Sequence, residues 1–145
     1  MTSTIAKSSE KPTAFLDTSA LLGYFLHEES RAQRCLELLQ RAERGEIRLR
    51  TSPLVLAEVV WTLQSPRFGL SADQIRELLA PIVTLRGLLV EDKHLYGKIL
   101  ELFCEQKIDF TDAYNAALML KENLTDIFSY DRHYDRLTFI RRVEP

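Results

Sequence analysis

The chain has 145 residues, the size of one ordinary domain, and its apolar fraction of 46% suffices to build a core, which excludes a disordered polymer. The formal net charge of −2 runs against a stably basic nucleic-acid binder. No apolar run approaches the ~20 residues that a membrane-spanning helix needs.

The opening MTSTIAKSSEKP lacks the apolar stretch of a secretory signal and reads as a flexible polar tail over residues 1–12, with a single domain over 13–145. TAFL (13–16) is a short apolar run with the character of a buried strand, and Asp17 ends it. Thr18 and Ser19 suit a helix start before ALLGYFL. In SRAQRCLELLQRAERG, Ala32, Cys35, Leu36, Leu39 and Ala42 recur at helical spacing, and Gly45 is placed to terminate the helix. EIRLRT then alternates as a strand does. Ser52 and Pro53 form a strong helix start, and LVLAEVVWTLQ follows as an almost wholly apolar helix whose one acid is Glu58.

SPRFG (65–69) reads as a loop. Ser71 and Gln74 make a capping-box pattern for a helix carrying Ile75, Leu78 and Leu79, which Pro81 distorts or ends. GLLV (87–90) is a strand candidate. Glu91 and Asp92 suit the first turn of the next helix, whose apolar face is Leu95, Ile99, Leu102 and Phe103. Another acidic start, DFTDA, leads into AYNAALMLKEN, with Phe110 as a core anchor. DIFSY (126–130) and LTFIRR (137–142) close the chain as strands around Asp131. Strands alternate with helices and no hairpin signal intervenes, which predicts a parallel sheet with right-handed crossovers and helices on both faces.

Two features of composition remain. Cys35 and Cys104 lie far apart, each among apolar residues of a predicted helix, and read as reduced core thiols of a cytosolic protein. Arginines crowd two stretches, from Arg31 to Arg50 and from Arg132 to Arg142, where solvated faces explain them by count alone.

In a parallel sheet, ligands bind beyond the C-terminal strand ends. Asp17 and Asp131 end strands one and four, Asp112 opens the helix feeding strand four, and Glu58 sits in the helix after strand two. Each acid has a plain structural role open to it: Asp17 as a helix cap, Asp112 as a partner of the helix dipole at ~0.3–1 kcal/mol, Asp131 as a turn residue. Glu58 is harder to place. Inside VLAEVVW it is expected to be buried, no lysine or arginine lies within four residues, and an unpaired buried charge costs several kcal/mol. Carboxylates converging on one rim repel one another, and a hard divalent cation such as magnesium or manganese neutralises them. His27, His94 and His133 are scattered and read as surface or packing residues, so zinc does not fit.

FLDTSALL, PLVLAEV, IDFTDA and FSYDRHYDRL, in that order and spacing, resemble the four motif blocks of PIN-domain ribonucleases, nearest to the VapC toxins of type II toxin–antitoxin pairs. The likeness runs from about Thr13 to Val143. It implies a PIN-like three-layer α/β/α sandwich on a five-stranded parallel sheet of order 3-2-1-4-5, which sets Asp17 beside Asp131. It implies that Asp17, Glu58, Asp112 and Asp131 hold Mg2+ or Mn2+ and carry the hydrolysis of RNA phosphodiester bonds. Thr18, Ser19 and Ser129 stand where the family has supporting hydroxyls, while Asp109 shapes the helix start. Further implications are a VapB-like antitoxin and a homodimer; the apolar helices after Ser52 and Ser71 are interface candidates unless their nonpolar faces are core, and the thiols point to a cytoplasmic location. One departure is that His133 stands where many relatives carry another acid.

Other classes fit less well. A haloacid-dehalogenase-like phosphotransferase needs an acid where Ser19 stands, a receiver domain needs an acidic pair that DTS lacks, and the glycines are too dispersed for a phosphate-binding loop. The remaining alternative is a catalytically inactive PIN-like module that binds RNA or a protein.

Overall fold

The computed structural model describes Pro12 and residues 14–145. The expected tail over 1–12, Pro12 apart, and Thr13 at the head of the expected domain lie outside the described residues. Five short strands, β1 (Ala14–Phe15), β2 (Leu49–Arg50), β3 (Leu88–Leu89), β4 (Asp126–Phe128) and β5 (Arg141–Val143), alternate with six helices. The helices are α1 (Thr18–Phe25), α2 (Glu29–Glu43), α3 (Pro53–Gln64), α4 (Ala72–Val83), α5 (Tyr96–Glu105) and α6 (Phe110–Lys121), and Arg132–Arg136 forms a 3-10 turn before β5.

The local signals act as their chemistry requires. Ser52 Oγ accepts from Val55 N at 3.2 Å, with Pro53 in the first turn of α3, where its missing N–H is harmless. At α4, Gln74 N donates to Ser71 Oγ at 3.2 Å and Ser71 N to Gln74 Oε1 at 2.9 Å, so the capping box closes in both directions. Pro81 lies inside α4, two residues before its end. Glu91 and Asp92, by contrast, do not form the first turn of α5. Asp92 takes a left-handed backbone with φ of 56°, a 3-10 turn over Lys93–Leu95 intervenes, and its carboxylate accepts from Tyr114 Oη at 2.6 Å and Lys121 Nζ at 3.2 Å. Those donors hold the Asp92 carboxyl below the ordinary aspartate range, the Tyr114 bond being the largest influence.

The strands pair in parallel as β1-β2-β3 and as β4-β5. The partial orders 3-2-1 and 4-5 are therefore both present. Among the described residues no ladder joins β1 to β4, so a single five-stranded sheet is not seen. Phe15 and Phe128, on those two strands, are 58% and 73% exposed. The closing strand is also later and shorter than 137–142. Its first residues are used in turns, with Leu137 N bonded to Tyr134 O and Ile140 N to Leu137 O, which lets Tyr134, Leu137 and Ile140 reach the core. A two-stranded ribbon is marginal by itself; these three side chains and Ile127 anchor it.

Leu49 and Leu88 of the three-stranded sheet, and Leu16 just after β1, enter the core with Val59, Val60 and Leu63 of α3. Thr51, fully buried, donates to Leu16 O at 2.9 Å and ties the ends of β1 and β2 together directly below Asp17. Phe110 is the anchor expected of it. It is 1% exposed and meets Phe103 edge-on at 5.9 Å, locking the start of α6 against α5. Cys35 is buried and Cys104 partly so, both as free thiols. No helix among the described residues is long and apolar enough to cross a membrane.

Candidate metal centre

Asp112 lies in the first turn of α6, whose position Phe110 secures two residues earlier. Its Oδ1 accepts from Tyr134 Oη at 3.2 Å, and that hydroxyl in turn accepts from Asn115 Nδ2 at 3.0 Å. Its Oδ2 is shut off from solvent and has no hydrogen-bond partner among the described residues. Burial, first, and the neighbouring charge of Asp131, second, push its carboxyl above the ordinary aspartate range; the Tyr134 bond opposes them.

Asp131 caps the 3-10 turn, and its Oδ1 accepts from His133 N at 2.9 Å, with His133 Nδ1 at 3.1 Å from the same oxygen. That backbone bond is the main reason its carboxyl falls below the ordinary range. Ser129 Oγ accepts from Asp131 N at 3.0 Å and so braces the loop behind the acid. The two adjacent carboxyls are thus driven in opposite directions, Asp131 toward the charged form and Asp112 away from it.

Asp109 is the N-cap residue of α6, yet its side chain makes no capping bond. Instead, ligand atoms of Asp109, Asp112 and His133 lie within 4.8 Å of one another, close enough for one cation. Asp109, expected to shape the helix start, and His133, expected at the surface or in packing, thus stand beside Asp112. The signal for Asp109 was present in DFTD, where two acids three residues apart share the first turn of a helix. His133 had a weaker one, its place two residues after Asp131.

Asp17 follows β1 and precedes α1, but its side chain does not cap that helix and accepts no hydrogen bond among the described residues. Thr18 Oγ1 donates to Glu58 Oε2 at 2.9 Å, which ties the α3 acid to the residue beside Asp17. Glu58 is not the buried charge expected from VLAEVVW. It is exposed, because Leu54, Glu58 and Trp61 share the face of α3 that the core does not cover. Ser19 makes no hydrogen bond to the acids among the described residues and lines an open cleft with Arg31 and Arg34. The structure therefore gathers Asp112 with Asp131, Asp109 and His133, and Glu58 with Thr18 next to Asp17; no hydrogen bond joins the two groups.

The donor set suits a hard cation. Asp112 Oδ2 is a buried carboxylate oxygen in want of a positive partner, surrounded by two more carboxyls and an imidazole. An apolar groove lined by Pro53, Leu54, Ala57, Phe110 and Tyr114 runs between α3 and α6.

The PIN-domain family model matches residues 14–140, and the chain belongs to that family. Among solved structures it is similar to VapC20 of Mycobacterium tuberculosis, a sarcin-ricin loop cleaving toxin, at 17% identity over 92% of this chain and 100% of that one, with a TM-score of 0.37. No curated protein matches it significantly.

Proposed function

We propose that this protein is a metal-dependent endoribonuclease of the VapC toxin type, acting in the cytoplasm, with Asp17, Glu58, Asp112 and Asp131 as its metal-site acids and Mg2+ or Mn2+ as the ion. The observation that carries the reading is the buried, unpartnered Oδ2 of Asp112 amid further carboxyls, a place where a bound cation removes both the desolvation cost and the repulsion. Membership of the PIN family supports it.

Asp112 and Asp131 are the holding pair, with Asp109 and His133 able to add ligands. Asp17 and Glu58 complete the set from the β1 and α3 side, Glu58 steadied by Thr18 and Asp131 by Ser129. A divalent ion there supplies Lewis-acid charge for attack of water on an RNA phosphodiester and for departure of the opposite oxygen. This chain's own residues orient the reacting groups and move the proton. One of the site's carboxylates accepts the water's proton, while Asp112 serves to hold the ion. Tyr134 fixes the direction of the Asp112 carboxylate through its Oδ1.

An unrestrained nuclease calls for a VapB-like antitoxin that lays a basic residue across the acids. Homodimerisation fits α3, where Leu54 and Trp61 are 78% and 52% exposed. The rival reading, an inactive PIN-like binding module, draws on the absence of a hydrogen bond between the Asp17–Glu58 side and the Asp112–Asp131 side among the described residues.

The test is cleavage of structured transfer and ribosomal RNAs with magnesium or manganese, against chelator, for the wild type and Asp17→Asn. Cleavage that needs the ion and is lost in the variant is expected. Activity surviving both treatments would refute the metal mechanism, and a wild type cutting no RNA would favour the binding module.

A further inference from the structure

Within each crowd of arginine some side chains are paired and others are not. At the C-terminus, Arg141 forks onto Asp126 at 2.9 and 2.6 Å, Arg142 engages Asp135 and Glu144, and Arg136 donates to Lys107 O. On α2, Arg41 and Arg44 both face Glu46. Arg34, like Arg50 and Arg132, is exposed and has neither an ion pair nor a side-chain hydrogen bond among the described residues. Arg31, one turn earlier on the same face, meets Glu28 at 3.1 Å but keeps 76% of its side chain in solvent.

Arg31 and Arg34, with Ser19 and Ala20, line an open cleft of about 330 Å³ between α1 and α2. Gly23 allows the helices to approach closely, since a Cβ there would lie 3.3 Å from Arg31 Cβ. The stem of Arg31 is therefore held against α1. Along the chain Ser19 is two residues beyond Asp17 and adjoins Thr18, which holds Glu58, while none of the site's acids lines the cleft itself. A cationic cleft carrying a hydroxyl, on the helix that follows Asp17, suits a neighbouring unit of the same polyanion.

We propose that the α1–α2 cleft is a backbone-phosphate subsite for the RNA strand flanking the bond to be cut, with Arg34 as its principal positioning residue and Arg31 and Ser19 assisting. Arg34 supplies an uncommitted planar fork that matches phosphate oxygens. The inference rests on the nuclease reading for its substrate, but its test does not depend on turnover.

Binding of a fluorescent oligoribonucleotide to the full chain is measured by anisotropy across a salt series, with calcium in the buffer and the RNA verified intact by gel. Arg34→Gln is expected to weaken binding about fivefold and to flatten the salt dependence by roughly 0.7 in log–log slope, the contribution of one phosphate contact on a single strand. The double variant with Arg31→Gln falls further. Arg86→Gln, just before β3 and at the opposite end of its strand from the acids, serves as control and is expected to bind as the wild type does. Wild-type affinity and slope in Arg34→Gln overturn the subsite, as does a wild type that binds no RNA or releases it equally to polyglutamate. The nuclease reading fails separately, when bound RNA is never cleaved with magnesium or manganese.

Discussion

Asp112 faces two opposing demands, since the fold surrounds its carboxyl with negative neighbours and yet removes one oxygen from water. Its raised carboxyl sets a sign. Stability is full below the ordinary aspartate range, where the group is neutral in both states, and is lost as pH rises through the displaced value. Asp112→Asn is therefore expected to melt above the wild type at pH 7 in chelator, the gain vanishing near pH 3; calorimetry across that range checks it. Tyr134→Phe removes the bond that steadies the charged form. The acid limb of its pH–rate profile is expected to move to higher pH, while stability changes by only about 1 kcal/mol. An unmoved limb would mean that ionisation of Asp112 does not govern the rate.

At the scale of elements, short-range rules and close approaches decide where the acids stand. The capping box at α4 is complete, and Ser71→Ala is expected to cost about 1 kcal/mol in urea unfolding. Gly87, just ahead of β3, is less forgiving. A Cβ there would lie 2.2 Å from Ala42 O and 2.7 Å from its carbonyl carbon, both backbone atoms at the end of α2. Gly87→Ala must push α2 off the strand, and a loss of about 1–3 kcal/mol is expected, read as a fall of several degrees in melting temperature. The elements themselves were largely legible in advance because capping, proline placement and apolar spacing are local. Where that reading slipped, a distant partner had intervened. Asp92 was drawn out of the α5 first turn by Tyr114 and Lys121, and the residues before β5 were drawn into turns by the burial of Tyr134 and Leu137.

For the molecule as a whole, the central question is whether the Asp17–Glu58 side and the Asp112–Asp131 side serve one ion. A ligand that binds only the folded state raises its stability by mass action. Manganese is accordingly expected to raise the melting temperature of the wild type. If the centre is shared, Asp17→Asn, Glu58→Gln, Asp112→Asn and Asp131→Asn should each reduce that rise. A rise kept in full by Asp17→Asn and Glu58→Gln would divide the acids into two independent groups and return weight to the binding module.

The amino-acid sequence by itself determined the alternation of strands and helices, the caps that start α3 and α4, the core role of Phe110 and membership of the PIN family, because each is written in spacing, side-chain chemistry or motif order. Only the tertiary structure decided that Glu58 faces solvent and takes a bond from Thr18, that Asp109 and His133 join Asp112, and that Arg34 is left uncommitted while Arg141 and Arg142 are paired. Those outcomes depend on which helix faces meet and which partners lie within a few ångströms across the chain, and no local pattern encodes that.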